Sequence, residues 1–209
     1  MKNKLDLSLY LVASREKRSD ECFLNTLESA IKGGVSVIQL REKTLCVREI
    51  YELGLKLKKL CKAYEIPFLI NDRLDIALAL DADGVHLGQE DLPVFAARKL
   101  LGEKKIIGLS LKKVEQLEFI KGADYLGCGA IRQSKSKQSS ILSLETLKEL
   151  CLKSKIPVVA IGGIEKGVIA SLKGARISGV AVISAIMNAD DAYLAAKELR
   201  SEFENLSFG

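Results

Sequence analysis

Lys32-Gly33-Gly34-Val35-Ser36-Val37-Ile38-Gln39-Leu40-Arg41-Glu42-Lys43 decides the fold. A helical stretch ends at a glycine suited to a left-handed cap, and a short run rich in Val and Ile starts at once. The figure returns at Lys121-Gly122-Ala123 and Lys173-Gly174-Ala175, and without the Lys-Gly at Asp81-Ala82-Asp83-Gly84. A second echo, Glu65-Ile66-Pro67 and Lys155-Ile156-Pro157, also leads into apolar runs. Recurrence of this kind marks repeated β/α units.

Eight apolar runs can be read along the chain: Leu9–Val12, Val35–Leu40, Pro67–Ile70, Gly84–Leu87, Lys105–Leu109, Tyr125–Gly127, Pro157–Ile161 and Gly179–Ile183. They lack strict alternation, as expected of parallel strands covered on both faces. Between them Ile50–Tyr64 has apolar residues three or four apart, and Ser143–Leu152 and Asp190–Phe203 open on capping or acidic residues. Eight strands alternating with helices admit a closed barrel or a doubly wound open sheet. No Gly-x-Gly-x-x-Gly follows the first run, so the expected fold is a single (β/α)8 TIM barrel over residues 1–209.

The bulk numbers agree with a globular α/β protein. Of 209 residues, 48% are hydrophobic and 28% charged, with a net charge of +5. Aromatics make up 5% and there is no Trp, so base-stacking platforms and a nucleic-acid partner are not expected. No apolar run reaches membrane-spanning length. The basic start and Leu7–Ala13 resemble a leader only superficially, because Asp6 interrupts and no cleavage site follows. The five cysteines include no Cys-x-x-Cys, and reduced, buried thiols in a cytoplasmic protein are expected. The oligomeric state is open, a homo-oligomer included.

In such barrels, chemistry gathers where strands end. Gln39, Arg41 and Lys43 alternate after the second run and would face one way if the strand continued; two cations there suit a polyanion, and a solvated edge is the plain alternative. Asn71-Asp72 follows the third run and Asp91 the fourth. The two aspartates either share Mg²⁺ with substrate phosphates or cap the next helices. Ser110 follows the fifth run. Ala130–Ser140 follows the sixth, rich in Ser, Lys and Gln, as a phosphate-gripping lid or a linker. Gly162-Gly163 follows the seventh and Ser184 the eighth, where backbone amides can approach a phosphate, or where two tight turns suffice. His86, inside the fourth run, reads as a buried structural histidine.

Together these stretches resemble the thiamine phosphate synthase family. The most specific segment runs Ile70-Asn71-Asp72-Arg73-Leu74-Asp75-Ile76-Ala77-Leu78-Ala79, then Ala82-Asp83-Gly84-Val85-His86-Leu87-Gly88-Gln89-Glu90-Asp91-Leu92-Pro93. Gln39-Leu40-Arg41-Glu42-Lys43, Val158–Ile164 and Val180–Ile186 resemble further motifs, so the likeness covers nearly the whole chain. The resemblance implies a magnesium-dependent transferase of small phosphorylated substrates. Asp72 and Asp91 would hold Mg²⁺. Gln39, Arg41, Lys43, Asn71, Ser110 and Lys137 would take an aminopyrimidine diphosphate, with Arg41, Lys43, Ser110 and Lys137 catalytic. Ser134, Ser136, Gly163, Ile183 and Ser184 would take a thiazole phosphate. Two departures stand out. Arg132-Gln133 replaces an aromatic and a proline before the loop hydroxyls, and Glu165 stands where the family often has Asn. A related thiazole tautomerase would want a histidine at Lys112, and a non-catalytic phosphate sensor would bind without turnover.

Overall fold

The computed structural model describes residues 5–132 and 141–207. Eight parallel strands close in sequence order into a barrel, with β8 pairing back onto β1. The strands are β1 (Leu9–Ala13), β2 (Val37–Leu40), β3 (Phe68–Asn71), β4 (Gly84–Leu87), β5 (Ile106–Leu111), β6 (Tyr125–Gly129), β7 (Val158–Ile161) and β8 (Gly179–Val182). Each of the eight expected runs overlaps one strand. Two boundaries matter for the site. β2 stops at Leu40, and β5 runs on through Ser110, which sits within the strand rather than after it.

Among the described residues seven α-helices cover the barrel: α1 (Asp20–Lys32), α2 (Val47–Ala63), α3 (Leu74–Ala79), α4 (Val94–Leu101), α5 (Leu144–Lys153), α6 (Ser184–Met187) and α7 (Ala192–Ser207). Ser19 caps α1 by accepting from the Cys22 N–H, and Ser143 caps α5 by accepting from the Thr146 N–H. The face of α2 that meets the strands carries Ile50, Leu53, Leu57 and Cys61. Truncating fully buried Leu57 to Ala would cost about 3 kcal/mol through lost transfer energy and the cavity left behind. The crossovers after β5 and β7 hold only 3₁₀ turns, Val114–Phe119 and Ile169–Leu172.

The repeated Lys-Gly figure does mark left-handed backbone. Gly34, Gly122 and Gly174 have φ of 113°, 101° and 84°. In the fourth copy Asp81 takes that conformation at φ 46°, which Asp tolerates better than most residues. The cysteine expectation holds only in part. Cys61 and Cys128 are buried, whereas Cys22 lies on the outer side of α1 and Cys46 precedes α2, and both are exposed. No helix among the described residues is long and apolar enough to cross a membrane.

The core has two layers. Most buried side chains lie between strands and helices. A smaller set, including Tyr10, Val12, Val37, Leu69, Tyr125, Val159 and Ala181, fills the barrel itself. Such interiors are ordinarily packed with branched aliphatics. Here Tyr10, Gln39, His86 and Tyr125 make part of the interior polar, and every one of them is buried.

Candidate active site

A cavity of about 540 Å³ opens at the C-terminal ends of the strands. It is of a size suited to small-molecule ligands. Every described residue of the expected site lines it: Gln39, Arg41, Lys43, Asn71, Asp72 and Asp91, and further round Ser110, Gly163, Ile183 and Ser184. Lys137, Ser134 and Ser136 lie outside the described residues.

Gln39, Arg41 and Lys43 line the cavity and Leu40 and Glu42 do not, as alternation would have it, although the strand itself ends at Leu40, with the Arg41 N–H donating to the Ala13 carbonyl at 2.8 Å. The chain then turns, and Glu42 faces the loop after β1, accepting from the Arg15 N–H at 2.5 Å. That anchor leaves Arg41 and Lys43 on the cavity. Arg41 has no carboxylate partner among the described residues, while the Lys43 ammonium donates to Asp72 Oδ2 at 2.5 Å.

Neither aspartate caps a helix. α3 and α4 are preceded by Arg73 and Pro93, without side-chain caps. Asp72 has φ 60°, and its N–H donates to the His86 carbonyl at 2.8 Å, which holds the turn after β3 against β4. Asp91 folds back so that its Oδ2 accepts from the Gly88 N–H at 2.6 Å. The two carboxyl groups lie within hydrogen-bonding reach of each other. Burial raises the Asp91 pKa and the Asp72 charge adds to that rise. Burial also acts to raise Asp72, but the Lys43 ammonium and the contact with Asp91 outweigh it and hold it below the ordinary range. Two half-buried carboxylates this close cannot both ionise freely without a counter-cation. No group of three or more His, Cys, Asp or Glu suited to a metal occurs among the described residues. An all-oxygen, two-carboxylate set facing a cavity fits Mg²⁺, which usually completes its shell with water and phosphate, and does not fit zinc.

The opposite side of the rim is built from backbone. Gly162 and Gly163 have φ of 96° and 68°. A Cβ on Gly163 would lie 2.7 Å from the Arg132 Cβ and 2.8 Å from its carbonyl oxygen, so the loop after β6 packs directly on this glycine. No α-helix starts immediately after β7, and α6, opening at Ser184, is a single turn.

Sequence order does not point to Tyr10 or Tyr125, which line the cavity, and His86, expected to be buried, is buried and lines it too. Its Nε2 lies 2.8 Å from Ser110 Oγ and its Nδ1 2.8 Å from Tyr125 OH. The available signal was position. Tyr125 begins its apolar run, two residues before Gly127, where a period of two keeps it facing inward.

With this geometry in view, residues 9–186 match the profile of the thiamine monophosphate synthase family. The chain belongs to that family. It is therefore a transferase of thiamine biosynthesis. It is 72% identical over 207 residues to a thiamine-phosphate synthase of Campylobacter jejuni, covering 99% of each chain. It is 44% identical over 205 residues to one from Methanobrevibacter smithii, covering 97% of this chain and 98% of the other. Among solved structures it resembles a thiamine phosphate pyrophosphorylase from Pyrococcus furiosus, with a TM-score of 0.87 and 38% identity over 97% of this chain and 98% of that one.

Proposed function

We propose that this protein condenses 4-amino-2-methyl-5-(diphosphooxymethyl)pyrimidine with a thiazole phosphate, giving thiamine phosphate and diphosphate (EC 2.5.1.3), in the cytoplasm. One observation carries the reading: the Lys43–Asp72 pair, with Asp91 beside it, shares a single cavity with the glycine turn at Gly163. A diphosphate needs side-chain cations and a metal. A monophosphate can be held by backbone amides and hydroxyls.

In this proposal Asp72 and Asp91 hold Mg²⁺, which when bound neutralises charge on the leaving diphosphate. Arg41 and Lys43 grip its oxygens, with Lys137 joining them. Gln39, Asn71 and Ser110 hold the pyrimidine diphosphate, and Ser134, Ser136, Gly163, Ile183 and Ser184 hold the thiazole phosphate. Substitution is dissociative. Diphosphate departs, a pyrimidine methyl cation remains, and the thiazole nitrogen attacks it. No general base is required, because the diphosphate leaves with the bonding electron pair and the thiazole nitrogen attacks through its own lone pair.

The test mixes both substrates with Mg²⁺ and follows diphosphate, with and without EDTA. Metal-dependent release supports the proposal. Binding of both substrates without product would instead favour a phosphate-ligand sensor.

A further inference from the structure

Below the rim, five side chains form one hydrogen-bonded chain across the barrel. Gln39 Nε2 donates to Tyr10 OH at 2.6 Å, and Tyr10 OH lies 2.8 Å from Tyr125 OH. Tyr125 OH lies 2.8 Å from His86 Nδ1, and His86 Nε2 lies 2.8 Å from Ser110 Oγ. All five line the cavity. Burial pushes both phenols above their ordinary range and pushes His86 down to about 4, so each link is neutral at neutral pH.

A neutral imidazole has one donor nitrogen and one acceptor nitrogen. The chain then has two fully satisfied arrangements, running in opposite directions. The Gln39 amide selects between them. Tyr10 receives a proton from Gln39 Nε2 and so gives its own to Tyr125, which gives its own to Nδ1. His86 must carry its proton on Nε2 and donate to Ser110, leaving the Ser110 proton for the cavity. At the other end, Gln39 Oε1 has no protein partner among the described residues.

We propose that the buried Tyr10–Tyr125–His86 relay couples the two ends of the heterocycle subsite, so that with Gln39 Oε1 facing it as an acceptor, Ser110 Oγ faces it as a donor. The inference rests on the proposed function for the ligand's identity. The amidine edge of an aminopyrimidine presents an N–H beside a ring-nitrogen lone pair, the complement of this pattern. An oxo-pyrimidine presents a carbonyl beside an N–H, the reverse. A buried site with fixed donors and acceptors rejects the mismatched edge steeply, because its own groups are left unpaired.

The barrel makes room for these rings. A Cβ on Gly108 would fall 2.2 Å from Tyr125 Cζ and 2.4 Å from His86 Nδ1, and one on Gly127 would fall 3.0 Å from His86 Cε1. Tyr10, Tyr125 and His86 are positioning residues, acting through Gln39 and Ser110.

His86 is the single histidine of the sequence, so nitrogen-labelled histidine reports one imidazole. Long-range proton–nitrogen NMR of the substrate-free protein should show the Nε2–H tautomer, and Tyr125→Phe should shift it toward a mixture. An Nδ1–H tautomer in the wild type reverses the chain and overturns the proposal. In turnover, Tyr125→Phe should lower the preference in kcat/KM for the amino over the oxo pyrimidine diphosphate by about tenfold or more, with KM for the thiazole phosphate unchanged. A folded variant with unaltered preference also overturns it. If Tyr125→Phe does not fold, the wild-type tautomer alone decides. Absence of turnover in the wild type would count against the proposed function and leave the tautomer readout intact.

Discussion

The two sides of the rim are built by different means. From β2 to β5 the cavity is lined by long or charged side chains: Arg41, Lys43, Asp72, Asp91, and Ser110 with its relay. From β7 to β8 it is lined by Gly162, Gly163, Ile183 and Ser184, where left-handed glycine backbone brings the chain itself to the cavity. Side-chain charge can be concentrated on a multiply charged leaving group and completed by a metal. Backbone carries only partial charge, which suits a phosphate that must be held while the chemistry happens elsewhere. In the proposed reaction one phosphate group leaves and the other stays, which gives the two sides different work.

That contrast can be broken most decisively at Asp91. Asp91→Ala should lower Mg²⁺-dependent turnover by about a thousandfold while circular dichroism shows an intact fold. Near-normal rates would remove the metal from the charged side.

The second test concerns the polar interior beneath that side. His86 has a folded pKa of about 4 against an ordinary 6.5, so the unfolded chain binds the extra proton between those values. Stability therefore rises with pH across that window and is lost as pH falls through it, by up to about 3 kcal/mol. Chemical denaturation from pH 4 to 7 should show this slope, and His86→Gln should flatten it.

Smaller effects separate the two anion sites. Lys43→Met should raise KM for the pyrimidine diphosphate by about thirtyfold through loss of a charged contact, with little change in KM for the thiazole phosphate. Gly163→Ala should do the opposite. Its φ of 68° and the near approach of Arg132 leave no room for a methyl group, so KM for the thiazole phosphate should rise about tenfold. If either substitution moved both KM values equally, the division of the rim would fail.

Much of this division was legible in order along the chain. Strand ends follow apolar runs, so order along the chain places Asp72, Asp91, Gly163 and Ser184 on one rim. Alternation likewise carries past Leu40 to Arg41 and Lys43, with Glu42 held away from the cavity by the Arg15 N–H. What sequence leaves open is whether Asp72 and Asp91 cap the next helices, because an aspartate before a helix ordinarily caps it. Only the folded chain shows Lys43 and the Gly88 N–H claiming those oxygens.

By itself the sequence determined the closed eight-stranded fold, the rim and the family, because periodicity, turn glycines and motif order are properties of neighbours along the chain. The tertiary structure alone decided that Tyr10, Gln39, Tyr125, His86 and Ser110, drawn from five strands, join in one relay. Hydrogen-bond partners separated by 24 to 115 residues are fixed by barrel closure and register, which no local pattern encodes.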